Sequence, residues 1–352
     1  MSQHTTSVLR GDRPIFVSLG MIIVDELRFP SRNTLIDVPG GSGLYATFGA
    51  RLFKAGHHAL KVGCVVVAGY DFPMSVLTLL QSWEVALFVF RAADKPSTRG
   101  LLQYEDDAFG RKTFSYVTQP LQPLASQLET CNALHARSFH FLAPPEDLES
   151  QVSSLLHLRQ EQGTTERPLI VWEPATLACD SVNLTSHLKA CALVDVFSPN
   201  HLELGYLVDG KSKTEPKFSR SIVEAQARKF LEHGVGPYRE GIVLIRSGEH
   251  GVLILSSSGQ AEWLPAYYNK NSDKVTDPTG AGNAFLGAFT VAFQETNDPR
   301  EASLRGLVAA SYALEQSGPA ELTACSRLSG ELWNGSDVLS RLENYKARVS
   351  KL

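Results

Sequence analysis

The chain lacks an excess of positive charge: 33 Lys and Arg stand against 37 Asp and Glu, for a net charge of -4 and a pI near 6.2. Binding to nucleic acid or to an anionic membrane needs cations to neutralise rows of phosphates, so a small molecule is the expected partner and neither polymer nor membrane is. Disulfide spacing is missing as well. Cys64, Cys131, Cys179, Cys191 and Cys325 are scattered, odd in number and never in Cys-x-x-Cys spacing, which argues against a disulfide framework or a zinc cluster and predicts reduced, mostly buried thiols. No run of ~18 uncharged apolar residues occurs, and residues 1–12 are polar without an apolar signal core, so a cytoplasmic protein is expected. The phosphate loop G-x-x-x-x-G-K-[ST] is absent, and any phosphate must be cradled in another way. Repeats and long biased linkers are absent too, which predicts a single domain over residues 1–352.

What is present centres on Asp277-Pro278-Thr279-Gly280-Ala281-Gly282-Asn283-Ala284-Phe285. Small residues at Gly280, Ala281 and Gly282 let backbone approach a ligand, and a helix beginning here aims free N–H groups and its positive dipole end at an anion. Earlier, the apolar run 15–24 reads as a strand buried on both faces, with Asp25 at its carboxyl end, where open α/β sheets place ligands. Gly40-Gly41-Ser42-Gly43-Leu44-Tyr45-Ala46 then predicts a second glycine-rich helix start. Its Gly41, Gly43 and Ala46 satisfy a loose dinucleotide pattern, but the loop does not directly follow the first buried strand, and no acid ends a second strand about 20 residues on.

Residues 98–117 alternate about a turn at Asp106-Asp107-Ala108-Phe109-Gly110 and predict a hairpin; residues 27–38, short and mixed, can join it. Strand candidates at 138–142, 168–172 and 194–198 alternate with helix-length segments, as in a mostly parallel sheet. His140 lies inside the first and reads as a core histidine, whereas Glu173, ending the second, is a candidate for substrate or metal contact. Asn200 and Glu203 are one helical turn apart, a spacing that suits Mg²⁺ and its waters and equally suits a helix cap. Residues 241–255 read as two strands about a glycine turn, with Arg246, Gly248 and Gly251 at the turn; Arg246 is either a phosphate partner or an exposed strand-end cation. Residues 286–293 and 303–314 look like two helices rich in small side chains, and 331–352 like an amphipathic surface helix.

The central stretch closely resembles the Asp-Thr-Thr-Gly-Ala-Gly-Asp signature of the PfkB, or ribokinase-like, sugar and nucleoside kinases. The glycine helix start resembles that family's Gly-Gly-x-x-x-Asn-x-Ala, with Tyr45 at the Asn position. Within the family, Asn283 in place of the final Asp looks like the fungal "maintenance of killer" branch. The resemblance implies a three-layer α/β fold with a mostly parallel sheet between helices, covered by a small β lid from about 27–38 and 98–117. It implies ATP and Mg²⁺ as cofactors, with a monovalent cation such as K⁺ near Asp277. Substrate contacts fall to Asp25, Gly40, Gly41 and Tyr45, nucleotide contacts to Asn200, Glu203, Arg246, Gly248, Gly251 and Asp277, and metal contacts to Asn200 and Glu203. Gly280, Ala281 and Gly282 would stabilise transferred charge, and Asn283 stands where the family has its general base. An amide is no base, so three functions follow: a kinase of a small hydroxyl-bearing metabolite, a pseudokinase acting through a partner, and an enzyme using ATP for another reaction. The family's lids imply a monomer or a homodimer paired through the lid.

Overall fold

The computed structural model describes residues 13–107, 109–211, 217–257, 259–269, 272–326 and 330–351. The polar segment 1–12, Ala108 of the hairpin turn, residues 212–216 and Leu352 lie outside them. In chain order, β1 (Phe16–Ser18) is followed by β2 (Ile23–Arg28), β3 (Leu35–Gly40) and helix α1 (Ser42–Leu52). β4 (Val62–Gly69), α2 (Met74–Ser82) and β5 (Ala86–Ala92) lead to a hairpin of β6 (Arg99–Tyr104) and β7 (Lys112–Tyr116). Next come β8 (Ser138–Ala143), α3 (Pro145–Glu161), β9 (Leu169–Pro174), α4 (Leu184–Cys191), β10 (Val196–Phe197), α5 (His201–Asp209) and α6 (Arg220–His233). β11 (Ile242–Arg246), β12 (Val252–Leu255) and β13 (Ala261–Leu264) precede the helices α7 (Ala281–Thr296) and α8 (Pro299–Leu314). β14 (Leu322–Ser326), β15 (Gly330–Trp333), β16 (Ser336–Asp337) and α9 (Val338–Val349) close the chain.

Nine strands form one sheet in the order β13-β12-β11-β10-β9-β8-β1-β4-β5, parallel from β11 to β5 and antiparallel at the β12 and β13 edge. Successive strand side chains point to opposite faces, and here they feed two cores. On β11, Ile242 and Leu244 join one cluster with Phe48, Phe285 and Leu304 of α1, α7 and α8. Val243 and Ile245 join the other, with Leu148, Val223 and Phe230 of α3 and α6. The result is the expected three-layer α/β arrangement. Among the described residues no helix is long and apolar enough to cross a membrane, and Cys64, Cys179 and Cys191 are free, buried thiols.

Helices α1 and α7 touch backbone to backbone, which fixes both glycine-rich helix starts relative to each other. A Cβ on Gly49 would lie 1.9 Å from the Ala284 carbonyl oxygen, and one on Gly287 would lie 1.8 Å from that of Ala46. Only glycine permits so close a crossing.

Two expectations need correction. The run 15–24 is not one strand: it breaks after Ser18, and β2 belongs to a separate four-stranded sheet of order β3-β2-β6-β7. Gly20 sits in the break, where an added Cβ would meet Ser42 Oγ at 2.3 Å, because α1 starts against it. Asp25 therefore lies inside the lid rather than at the end of a central strand. The lid is mixed, β2 pairing parallel with β6 while the hairpin and the β2–β3 pair are antiparallel. Finally, the tail 331–352 begins as β15 and β16 and turns helical only at Val338. Burial is the cause: Trp333 packs 5.6 Å from the Phe48 ring, and Glu331 takes a two-pronged pair from the fully buried Arg51.

Candidate active site

The start of α7 is shaped by three contacts. Asp277 is buried and accepts the Thr279 N–H at 2.9 Å and its hydroxyl at 2.5 Å. Gly280, the N-cap, is left-handed at φ 77 and lies against the Tyr45 ring, 2.2 Å from where a Cβ would be. Gly282 faces Arg246 instead, its Cβ position 2.3 Å from Nη1. The first turn of a helix leaves N–H groups without intrahelical partners, and α7 is sixteen residues long, so its dipole adds positive potential at Ala281, Gly282 and Asn283.

Arg246, at the end of β11, is neither exposed nor free. Its Nη1 lies 2.8 Å from Glu173 Oε1, and its Nη2 donates to the Ser198 carbonyl at 2.9 Å while standing 3.7 Å from Glu203 Oε2. Asn283 donates its Nδ2 to Glu173 Oε2, and His140 Nε2 is 3.5 Å from the same oxygen. Burial alone would raise the Glu173 carboxyl, but the Arg246 guanidinium and His140 beside it outweigh burial and hold it below the usual range. Glu203, farther from that guanidinium, is raised by burial, with the Glu173 charge adding to the effect. Arg246 is thus committed to Glu173.

Asn200 and Glu203 form a capping box at α5: Asn200 Oδ1 accepts from Leu202 and Glu203 N–H, and Glu203 Oε2 accepts from the Asn200 N–H at 2.8 Å. Glu203 Oε1 accepts from the Thr176 hydroxyl at 2.7 Å. A carboxylate has about four lone-pair positions, so Glu203 retains acceptor capacity toward water.

On the lid side, Asp25 sits between two glycines: a Cβ on Gly40 would meet its Oδ2 at 1.9 Å, and one on Gly100 its Oδ1 at 2.3 Å. Burial pushes this carboxyl up to about 7, against a smaller lowering by Lys112. Among the described residues Oδ1 has no hydrogen-bond partner. Lys112, on β7, extends its Nζ to Thr279 Oγ1, to Tyr104 Oη at 3.2 Å and to Asp277 Oδ1 at 3.3 Å. Burial lowers its pKa, with Asp277 and Asp25 opposing. Lys112 is the residue that sequence reasoning missed: its alternation with Phe114 and Tyr116 marks a strand, and no spacing marks a reach to Asp277.

Two cavities meet at this helix start. One of about 450 Å³ contains Asp25, Gly41, Tyr45, Thr279, Gly280 and Asn283, walled by Phe114, Tyr116, Leu102 and Leu177. The other, of about 380 Å³, contains Asn200, Arg246, Gly248, Gly251, Ala281 and Gly282 and runs along an apolar slot of Val275, Phe285, Leu307, Ala310 and Leu314. Gly40 packs against Asp25 and Asp277 is buried, and neither lines these two cavities.

A three-layer sheet with a β lid over a glycine-rich helix start defines a ribokinase-like protein. Giardia lamblia ribokinase superposes with a TM-score of 0.67 at 19% identity, over 87% of this chain and 96% of that one. Escherichia coli phosphofructokinase-2 does so at 0.62 and 18%, over 95% and 100%. The chain belongs to the pfkB family of carbohydrate kinases, whose model matches residues 36–324. Relatives include the uncharacterised protein C16C9.01c of Schizosaccharomyces pombe, 31% identical over 345 residues, 94% of this chain and 92% of that protein. Protein MAK32 of Saccharomyces cerevisiae is 29% identical over 350 residues, with coverage of 95% and 92%. The cytidine kinase of Thermococcus kodakarensis is 26% identical over 308 residues, with coverage of 87% and 98%.

Proposed function

We propose that this protein transfers a phosphoryl group from ATP to a hydroxyl of a small metabolite of the sugar or nucleoside class. The observation that carries the reading is the meeting of the two cavities at one helix N-terminus, Gly280 and Asn283 facing the first and Ala281 and Gly282 the second. A donor and an acceptor held on either side of an anion hole is the arrangement phosphoryl transfer needs, because positioning and charge stabilisation supply most of its catalysis. The slot of Leu307, Ala310 and Leu314 fits a flat base, and the cradle of Gly248, Gly251, Ala281 and Gly282 at the α7 start fits phosphates. Among related proteins, one is a cytidine kinase, and phosphofructokinase-2 was solved with substrates and products.

ATP supplies the phosphoryl group and Mg²⁺ neutralises its charge. Glu203, with lone pairs to spare and no full counter-charge, would hold the metal's waters, and Asn200 fixes Glu203 through the cap. Asp25 would hold acceptor hydroxyls, its Oδ1 being otherwise unmatched. Tyr45 supports the anion hole by packing on Gly280. Phe114 and Tyr116 give the acceptor pocket an aromatic wall that suits a nucleoside base more than a bare sugar. Pairing through the lid would cover Leu35, Ile36 and Val117, which stand exposed on it.

Asn283 is tied by its amide to Glu173, and this one contact favours a second reading, a pseudokinase that binds nucleotide and acts through a partner. The two are separated by titrating the protein with ATP and Mg²⁺ and then supplying a panel of sugars and nucleosides. Phosphorylated acceptor together with ADP establishes the kinase; tight ATP binding without transfer or hydrolysis establishes the pseudokinase; absence of nucleotide binding rejects both. Restoring an acid at Asn283 alone is a poor control, since Asn283→Asp would set two carboxylates in contact. Pairing it with Glu173→Gln avoids the repulsion.

A further inference from the structure

A monovalent cation beside Asp277 is what the family resemblance implies, and phosphofructokinase-2 of similar fold was solved with potassium. The residues here fit it poorly. Asp277 and Thr279, the hard oxygen donors next to the anion hole, already hold an ammonium group from the lid: Lys112 Nζ bonds Thr279 Oγ1 and lies 3.3 Å from Asp277 Oδ1. The same Nζ is 3.2 Å from Tyr104 Oη and 4.9 Å from the Tyr104 ring centroid, so oxygen and π-face together surround it. An ammonium carries the same single charge as potassium. With Asp277 matched by Lys112, a further cation would be an uncompensated charge in a largely buried site.

We propose that the Lys112 ammonium is the resident cation of the anion hole, replacing the bound monovalent ion, and that it arrives with the lid. Lys112 stands on β7, paired in register with Tyr104 of β6, and both belong to the lid sheet. Asp277 and Thr279 belong to the loop that shapes the first turn of α7. Closing the lid and completing the positive potential at α7 are therefore one event. Lys112 acts here as a positioning residue, through the loop rather than on the reacting atoms. The inference rests on reading the α7 start as an anion site.

The test is thermal unfolding of the unliganded full chain in potassium chloride and in tetramethylammonium chloride at equal ionic strength, for wild type, Lys112→Met and Lys112→Gln. Wild type should melt at the same temperature in both salts. The variants, with Asp277 left unmatched, should gain a potassium-specific rise of ~2 °C or more, as expected when an ion binds only the folded state. A potassium-specific rise in wild type overturns the proposal, and so does a folded variant indifferent to potassium. Should neither variant fold, the wild-type arm decides alone. Because no nucleotide is present, failure here leaves the kinase reading standing, and absence of ATP binding rejects that reading without touching this measurement.

Discussion

Glu173 is buried among Arg246, His140 and Asn283, and only Arg246 among them carries a permanent positive charge. Removing one partner of a buried ion pair leaves the other charge uncompensated, at a cost of about 3–5 kcal/mol. Arg246→Ala should lose that much in urea denaturation, and adding Glu173→Gln should recover most of it, since the stranded charge is then gone. Equal losses in the single and double variants would show that Arg246 acts through packing alone. Asp25 gives a prediction in pH. Its carboxyl titrates at about 7 in the folded chain against 3.8 as the free group, chiefly from burial and despite Lys112 opposite it. Between those values the unfolded chain has released the proton and the folded chain still holds it. Stability from this group is therefore full below about pH 4, falls by ~1.4 kcal/mol per pH unit as pH rises, and is level above about 7. Asp25→Asn should flatten the dependence between about pH 5 and about pH 7 and leave the variant more stable than wild type at neutral pH. Denaturant midpoints measured across that window decide it, and parallel curves for the two proteins would mean that Asp25 is ionised throughout.

The α1 and α7 crossing governs the element scale, because Tyr45 on one helix backs Gly280 at the start of the other. Gly287→Ala would drive a methyl group into the Ala46 carbonyl, and overpacking of this kind costs about 1–3 kcal/mol. The helices can relieve it only by separating, which shifts Tyr45 from Gly280, so kcat should fall along with stability. Gly49→Ala acts on the same crossing, and the two substitutions together should cost less than their sum. Additive costs in denaturation would show that the helices yield independently. The sequence made α7 and α8 legible through their small residues, and β8, β9, β11 and β12 through apolar runs. It did not reveal where the run 15–24 changes sheets, since both halves are equally apolar and the break depends on α1 pressing against Gly20. Likewise, nothing local in the charged tail shows that Glu331 meets Arg51, a partner 280 residues away.

At the scale of the whole molecule, the cavity residues Gly41, Tyr45, Gly280 and Asn283 were legible because each sits in a short glycine-rich motif, whereas Asp25 was singled out from an end-of-strand place that it does not have, since it lies within β2. Lys112 was not, because its meaning comes from Asp277, 165 residues along the chain. That contact also joins two bodies whose cores differ in size. The lid's own core is small, with Leu27, Leu102 and Tyr104 buried and Phe29, Val38 and Phe109 packed partly against them. The body has two extensive cores on either face of its sheet. Besides Lys112, the lid is tied to the body by Tyr104, whose Oη donates to Asp277 Oδ2 at 3.4 Å, and by Asp71, which accepts from Ser97 N–H at 2.6 Å and pairs with Arg99 at 3.0 Å. Regions with few buried apolar contacts open at lower free energy than the core. Hydrogen exchange should therefore be faster in β3 and β7 than in β8 and β9, and faster still in β7 after Lys112→Met. Adding ATP, Mg²⁺ and an accepted substrate should slow the lid strands while leaving β8 and β9 nearly unchanged, since closure adds contacts only to the lid. If β3 and β7 exchange as slowly as β8 in the free protein, the lid is part of the body's cooperative unit, and the coupling between closure and the anion hole has no motion to act through.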